Sequence, residues 1–269
     1  MPESDVNGAG AGVPWLQPDW PAPAAVRAVF TLRGGGVSVG LCGSLNVGAH
    51  VQDNPLDVAE NRRRIASAFE LPTEPAWLTQ VHGNQVVRLV GDALPAPGAD
   101  AVVTAQPGRV CVIQVADCLP VLFAARDGSV VGAAHAGWRG LAAGVLENTV
   151  AALGVPPAQL LAWIGPGIGR KHFEVGPEVR EAFIGLARTG TAAVEAAFVP
   201  NARGRWHCDL VALARLRLRA LGLTDMFGGQ WCTFTDAEHF FSHRRDGRSG
   251  RMAALIWLAQ TPTHVGQIT

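Results

Sequence analysis

One thiol and two imidazoles stand at the ends of apolar runs in this chain. Cys118 lies in Val115-Ala-Asp-Cys-Leu-Pro120, His135 in Ala133-Ala-His-Ala-Gly-Trp-Arg-Gly140, and His82 in Leu78-Thr-Gln-Val-His-Gly83. Two imidazoles and a thiolate are three of the four ligands a catalytic zinc takes, the fourth position being left for water or substrate. The three are separated by 36 and 17 residues, so the fold and not a local loop must assemble them. Each is followed by residues that turn the chain sharply, and strand ends opening onto turns are where α/β proteins place their sites. Residue by residue, the alternative is a satisfied buried side chain at a strand end. The two readings stand level on the residues alone. Asp117, next to Cys118, is a general base or a partner for a ligand imidazole if the chain bends near Pro120, and otherwise caps a turn.

Two further segments hold polar chemistry. Ile164-Gly-Pro-Gly-Ile-Gly169 resembles a nucleotide loop only superficially, because Lys171-His172 intervenes where a dinucleotide fingerprint would open a helix. It reads instead as backbone passing close to a ligand or to another strand. Glu174 behind it is a site carboxylate or a surface one. Phe240–Arg251 packs Arg244, Arg245, Arg248 and Arg251 into eight residues. That is a solvated loop or an anion site, since Arg binds phosphate bidentately.

The elements that must position these groups are short. Val26–Leu32 is strand-like, and Asn54-Pro55 opens a helix to about Phe69 with Asn as cap and Pro at the first position. Strand-like runs follow at Ala76–Val81, Gln85–Val90, Ala101–Thr104, Val110–Val115, Val121–Ala125 and Val130–Ala134. Leu141–Leu153 reads as a helix ending at Gly154, and Leu160–Ile164 as a strand. Helices follow near Glu178–Leu186 and at Asp209–Leu221, and strands at Gln230–Phe234 and Met252–Leu258 close the chain. Helices and strands do not alternate strictly, which argues against a doubly wound parallel sheet and for an α+β fold with mixed sheets. Residues 1–24, rich in Gly and Pro, read as an extended arm, 25–262 as a single catalytic domain and 263–269 as a tail.

Composition narrows the partners. Of 269 residues 48% are hydrophobic and only 16% charged, which places the chain with compact soluble proteins. Lys+Arg and Asp+Glu are both 22, so no global field draws nucleic acid or an anionic membrane surface. No apolar run approaches the ~20 residues of a membrane span, and the N-terminus lacks a secretory signal. Five widely spaced cysteines without a C-x-x-C pair fit the reducing cytoplasm.

With these residues in hand, the chain resembles the laccase-domain or multicopper polyphenol oxidase family, also known as YfiH-like proteins or peptidoglycan editing factors. The resemblance runs from about residue 27 to 258. It is carried by Ser44-Leu-Asn-Val-Gly48 with His50-Val51, Asn61-Arg62, Leu78–Gly83, Ala99-Asp-Ala-Val-Val-Thr104, Ala116–Val121, His135–Gly140, Ile164–Gly169, Phe173-Glu-Val-Gly176 and Phe240–Trp257. The resemblance implies a four-layer α/β/β/α sandwich with mixed sheets. It implies a metal, usually zinc with copper as the alternative, held by His82, Cys118 and His135. It further implies phosphorolysis of adenosine, inosine and methylthioadenosine, with adenosine deamination alongside. The sequence departs from the family at His243 and Phe234, where Tyr is common, and at Lys171-His172, where small residues or Cys are common.

The oxidase name fails a count. A multicopper oxidase needs about ten histidines, mostly in H-x-H pairs, whereas this chain has eight, no H-x-H pair and no cysteine between two histidines. One His₂Cys site can bind copper but cannot build a four-copper relay. The leading expectation, as the resemblance implies, is a zinc-dependent purine nucleoside phosphorylase with accessory adenosine deaminase activity, acting on nucleosides and phosphate as a monomer or weak homodimer. Cys118, Asp117, His82 and His135 are its expected catalytic residues. Ser44, Asn46, Arg62, Arg139, Glu174 and Arg244 are its expected substrate and phosphate contacts. The alternative is a cysteine- or metal-dependent hydrolase editing peptidoglycan precursors, with Cys118 as nucleophile. A zinc-stabilised binding module ranks below both.

Overall fold

The computed structural model describes residues 12–91, 98–185 and 191–260. In chain order the elements are β1 (Trp15–Leu16), β2 (Val26–Thr31), α1 (Pro55–Ala68), β3 (Val86–Arg88), β4 (Ala101–Thr104), β5 (Val110–Val115), β6 (Leu119–Ala125) and β7 (Val131–Ala136). There follow α2 (Trp138–Ala143), α3 (Val145–Leu153), β8 (Leu160–Ile164), β9 (Glu174–Val175), α4 (Pro177–Ile184) and α5 (Thr191–Glu195). The last are β10 (Phe198–Pro200), β11 (Trp206–Cys208), α6 (Leu210–Ala220), β12 (Met226–Gly228), α7 (His243–Asp246) and β13 (Met252–Leu258).

Alternation along the strands sorts these elements into layers. Val29, Val110, Val112, Ala253 and Leu255 point from one face of the antiparallel sheet β1-β2-β13-β5 onto Ile65 of α1. Ala28, Phe30, Cys111, Ile113, Ala254 and Ile256 point the other way, onto Val102, Leu122, Ala124, Val131, Ala133 and Trp163 of a second sheet. That sheet has order β12-β8-β6-β7-β4-β3, with β12–β8 and β3–β4 parallel and the rest antiparallel. Its outer face, Ala101, Val103, Val121, Phe123 and Ala134, buries against α3, α4 and α6. The result is the α/β/β/α sandwich expected from the resemblance, with three apolar seams. A small antiparallel sheet, β10-β11-β9, lies beside it.

Several local expectations are modified by tertiary structure. Ala76–Val81 is not a strand: only Ala76 bridges to Cys111. Past that point the main-chain partner of β5 is replaced by a side chain, because Gln80 donates to the Gln114 carbonyl (2.8 Å) and accepts from the Gln114 N–H (2.7 Å). Gln230–Phe234 is not a strand either. The strand is β12, upstream, and Gly228 and Gly229 at φ +73° and +80° turn the chain out of the sheet after it. The helix expected over Leu141–Leu153 starts earlier, at Trp138, and is broken into α2 and α3 at Gly144, which takes φ +94°. Residues 13–16 of the expected arm are anchored: Trp15 and Leu16 pair with Thr31 and Phe30, and Val13 and Leu16 are buried. The start of that arm, the end of the helix expected to reach Leu186 and the 263–269 tail lie outside the described residues.

Candidate metal centre

Strand register brings the three candidate ligands together. Leu119 pairs with Ala136 and Pro120 with His135, so Cys118, one residue before β6, faces the end of β7. On the other side of β7, Ala101 pairs with Ala134, and the His135 N–H donates to the Asp100 carbonyl (2.7 Å). His82 reaches the same place from the loop between Leu78 and β3. The His82, Cys118 and His135 donor atoms all lie within 4.8 Å of one another, and the two imidazole rings meet edge to face at 4.8 Å. Close approach also needs Gly137, where a Cβ would sit 2.8 Å from Cys118 Sγ and 3.1 Å from His82.

Asp100 is the residue that fixes this geometry. Its carboxylate is fully buried and accepts from His135 Nδ1 (2.8 Å) and from the backbone N–H groups of Val81 (3.2 Å), His82 (2.9 Å) and Gly83 (2.7 Å). Charge-assisted bonds of this kind make up the cost of burying a carboxylate. They also hold His82 at φ +60°, a region that non-glycine residues rarely adopt. With Nδ1 committed to Asp100, the free nitrogen of His135 is Nε2, an outer partner of the sort metal-binding histidines use.

The electrostatics favour a thiolate. Burial, the largest single influence, pushes the Cys118 thiol up, but the His135 charge and hydrogen bonds from His135 and His82 outweigh it and hold it below the ordinary value. Burial likewise pushes His135 down, and the Cys118 and Asp100 charges more than offset it, raising the imidazole. Asp100 is held low: burial opposes ionisation, but the bonds from His135 and the backbone prevail. A thiolate with two imidazoles is a nitrogen–sulfur donor set suited to zinc or copper. These residues fit such an ion.

Around them is a cavity of about 240 Å³, also lined by His50, Gln80, Gln114, Asp117, Arg244 and Arg251, with Ile168 and Phe173 as apolar wall. Asp117 takes φ +86°, which turns its carboxylate into this cavity, where it accepts from the Thr233 hydroxyl (2.6 Å) and the Arg244 N–H (2.7 Å). The partner of the ligand imidazole is Asp100, not Asp117. The glycine loop passes close by as its composition suggests: a Cβ on Gly167 would lie 2.4 Å from Leu119 and 3.1 Å from the Asp117 carbonyl.

The other sequence-predicted contacts divide. Arg244 lines the cavity and donates to the Glu174 carbonyl (2.9 Å). The Glu174 carboxylate itself points to Asn201 (2.7 Å), Arg205 (3.6 Å) and Arg203 (3.8 Å), outside the cavity. Arg62 spends Nε and Nη2 on the Val47 carbonyl and lies 4.1 Å over Trp77. Arg139 is exposed and stacks on Trp138 at 4.4 Å. Ser44 accepts from the Gly36 N–H (3.0 Å). Asn46 Oδ1 accepts from the N–H groups of Gly48 and Arg251, both at 2.8 Å. None of these last four lines the cavity. Asn46 instead fixes the backbone of Arg251, which does. Sequence reasoning assigned no site role to Asp100, Gln80 or Gln114, and Arg251 entered only as one of four clustered arginines. Asp100 and Gln80 sit inside motifs that carried the resemblance, and that was their one available signal.

Comparison with known proteins agrees with this architecture. The family described as multi-copper polyphenol oxidoreductase laccase matches residues 27–259. A protein of Pseudomonas aeruginosa named purine nucleoside phosphorylase is 54% identical over 245 residues, covering 91% of this chain and 98% of that one. Purine nucleoside phosphorylase YfiH of Escherichia coli is 50% identical over 243 residues, covering 90% and 98%. Among solved structures, a Neisseria meningitidis protein superposes with a TM-score of 0.87 at 47% identity, covering 91% of this chain and 99% of that chain. YlmD from Geobacillus stearothermophilus gives 0.86 at 30% identity, covering 95% and 99%. The chain belongs to the laccase-like YfiH family.

Proposed function

We propose that this protein is a zinc-dependent purine nucleoside phosphorylase acting on adenosine, inosine and methylthioadenosine, with accessory adenosine deaminase activity. The observation that carries the reading is the convergence of His82, Cys118 and His135 on a cavity of about 240 Å³ whose other walls combine amides, cations and one carboxylate with the apolar side chains of Ile168 and Phe173. Relatives covering nine-tenths of the chain and named purine nucleoside phosphorylase support its phosphorylase part.

His82, Cys118 and His135 would hold zinc, or copper in its place, and the ion supplies Lewis-acid stabilisation of developing charge. Ile168 and Phe173 offer the purine an apolar wall and exclude water. Gln80, its amide locked on the Gln114 backbone, and Gln114 give the base fixed polar neighbours. Asp117 presents an oriented carboxylate able to hold a proton taken from, or destined for, the purine. Arg244 offers positive charge toward an anionic co-substrate. In phosphorolysis a phosphate oxygen bonds to C1′ of the ribose as the C1′–N9 bond breaks. The electron pair leaves with the purine, which takes up the proton that phosphate gives up. No redox partner is required.

The five cysteines are all free thiols, which suits a reducing cytoplasm. No helix among the described residues is long and apolar enough to cross a membrane. We read the enzyme as a monomer or weak homodimer. A second reading, Cys118 as the nucleophile of a hydrolase acting on peptidoglycan precursors, draws on the lowered thiol beside His135. Stoichiometric zinc that disappears in Cys118→Ala would tell against it. The test of the leading reading is incubation of metal-replete protein with inosine and adenosine, with and without phosphate. Phosphate-dependent release of hypoxanthine, abolished in His82→Ala, is expected, and no turnover of either nucleoside overturns it.

A further inference from the structure

The cavity does not end at the metal ligands. His50, His243 and Arg251 form its outer wall and are at the same time the inner wall of an adjoining depression of about 220 Å³. Arg248 and Gln52 complete the polar lining of this outer compartment, and no carboxylate lines it. Elsewhere many arginines are neutralised: Arg63 and Arg64 by Glu60, Arg180 by Glu195, Arg245 by Asp246. Here Arg248 makes one hydrogen bond, to Gln52 Oε1 (3.1 Å), and Arg251 donates through Nη1 to the Ser249 and Gly250 carbonyls. Neither forms an ion pair with a carboxylate among the described residues.

Backbone strain marks the same place. Among the described residues four non-glycines take positive φ, namely Gln52, Glu70, His82 and Asp117. Three of them line these two compartments. Left-handed backbone is strained in a residue with a side chain and persists where the surroundings enforce it. At Gln52 the distortion coincides with an amide that reaches across to Arg248. The arrangement holds an unneutralised guanidinium over a pocket whose far wall is the nucleoside cavity.

We propose that the outer compartment is a phosphate subsite, with Arg248 and Arg251 as its guanidinium clamps and His50 and His243 between it and the nucleoside. This rests on the proposed phosphorylase reading and extends it, because an anion seated there lies next to a nucleoside in the inner cavity. The ligand is a tetrahedral phosphate group, from inorganic phosphate as co-substrate or from the 5′ position of a bound nucleotide.

The test uses zinc-replete wild type, Arg248→Ala and Arg248→Glu. Arg248 is exposed and makes one side-chain hydrogen bond, so both variants keep the fold. Inosine phosphorolysis is read as separate KM values for phosphate and inosine, and calorimetry measures binding of inorganic phosphate and of adenosine 5′-monophosphate. Arg248→Ala is expected to weaken phosphate by about tenfold, as loss of one guanidinium contact should, and Arg248→Glu by more, with KM for inosine within about twofold of wild type. A loss confined to the nucleotide assigns the subsite to the 5′-phosphoryl group and still supports it. Wild-type affinity of both variants for both anions overturns it. If no nucleoside is turned over, the phosphorylase reading falls while the calorimetry still decides the subsite.

Discussion

Two depressions of this molecule differ in a way that volume does not predict. The larger, about 490 Å³, lies between the β1-β2-β13 sheet and the C-terminal end of α1, with Trp15, Phe69, Trp257, Arg27 and Glu70 in its walls. The smaller, about 240 Å³, holds His82, Cys118 and His135. The larger is lined by no histidine or cysteine, and its aromatic walls belong to the outer apolar seam. Several polar groups in the smaller are held by partners from distant parts of the chain: Asp100 for His135 and His82, Thr233 for Asp117, Asn46 for Arg251. A cleft left by the packing of a helix on a sheet needs none of that. Restraint of reactive groups, more than empty space, separates a site from a gap.

The sharpest way to break this comparison is to remove a ligand. Cys118→Ala should abolish metal retention and reduce nucleoside turnover by more than the ~10–100-fold that loss of an outer partner costs. Elemental analysis and hypoxanthine release read the two effects. A variant that keeps both would return Cys118 to the status of an ordinary half-buried thiol.

Asp100→Asn should come next. The amide can still accept hydrogen bonds but loses the charge and part of the acceptor capacity that four donors share. Metal affinity or activity is expected to fall by ~10–100-fold. Chelator competition measures the first, and thermal unfolding checks that the protein stays folded. Gly137→Ala should act on the same centre without touching a ligand, because its Cβ would press on Cys118 Sγ. The expected result is weaker metal retention with secondary structure unchanged by circular dichroism.

These residues also show what the sequence carried and what it did not. Local signals placed β4, β5, β8 and β13, the Asn54–Pro55 start of α1 and the Asp209 cap of α6, because period, propensity and capping act within a few residues. The three candidate ligands stood out by chemical type and by the turns that follow them. Asp100 did not, since it looks like any residue before an apolar strand until register sets it against His135. Gln80 read as strand because nothing local reveals that its side chain, and not its backbone, completes the edge of β5. The left-handed turns at His82 and Asp117 are imposed by partners 17 or more residues away, Asp100 for one and Thr233 and Arg244 for the other. Propensity at those positions says nothing of them.

In the larger cleft, Trp15→Ala should cost stability and leave catalysis alone. The Trp15 ring meets Phe69 edge to face at 5.5 Å, and such pairs add ~0.5–1.5 kcal/mol beyond the area they bury. A lower unfolding midpoint with unchanged turnover is expected. Reduced turnover in folded protein would mean that the cleft is coupled to the site.

The smallest effect, and the one that isolates strain from function, is expected at Glu70. It takes φ +46° just past the C-terminus of α1, where its N–H donates to the Ser67 carbonyl (3.3 Å) and the Leu71 N–H donates to the Ala66 carbonyl (2.9 Å). This is the helix-ending pattern in which glycine is the usual left-handed residue. Glu70 is exposed and none of the candidate ligands lines that cleft, so its strain serves only to end the helix. Glu70→Gly should therefore raise stability by about 1 kcal/mol, the left-handed cost it removes less the chain entropy it adds, with turnover unchanged. The same exchange at Asp117 relieves comparable strain but strips the acceptor from the buried Thr233 hydroxyl and the Arg244 N–H, so stability and activity should both fall. Parallel denaturant titrations and turnover assays of the two variants measure the contrast. Equal loss of activity in both would mean that left-handed backbone, wherever it falls in this fold, is tied to the chemistry.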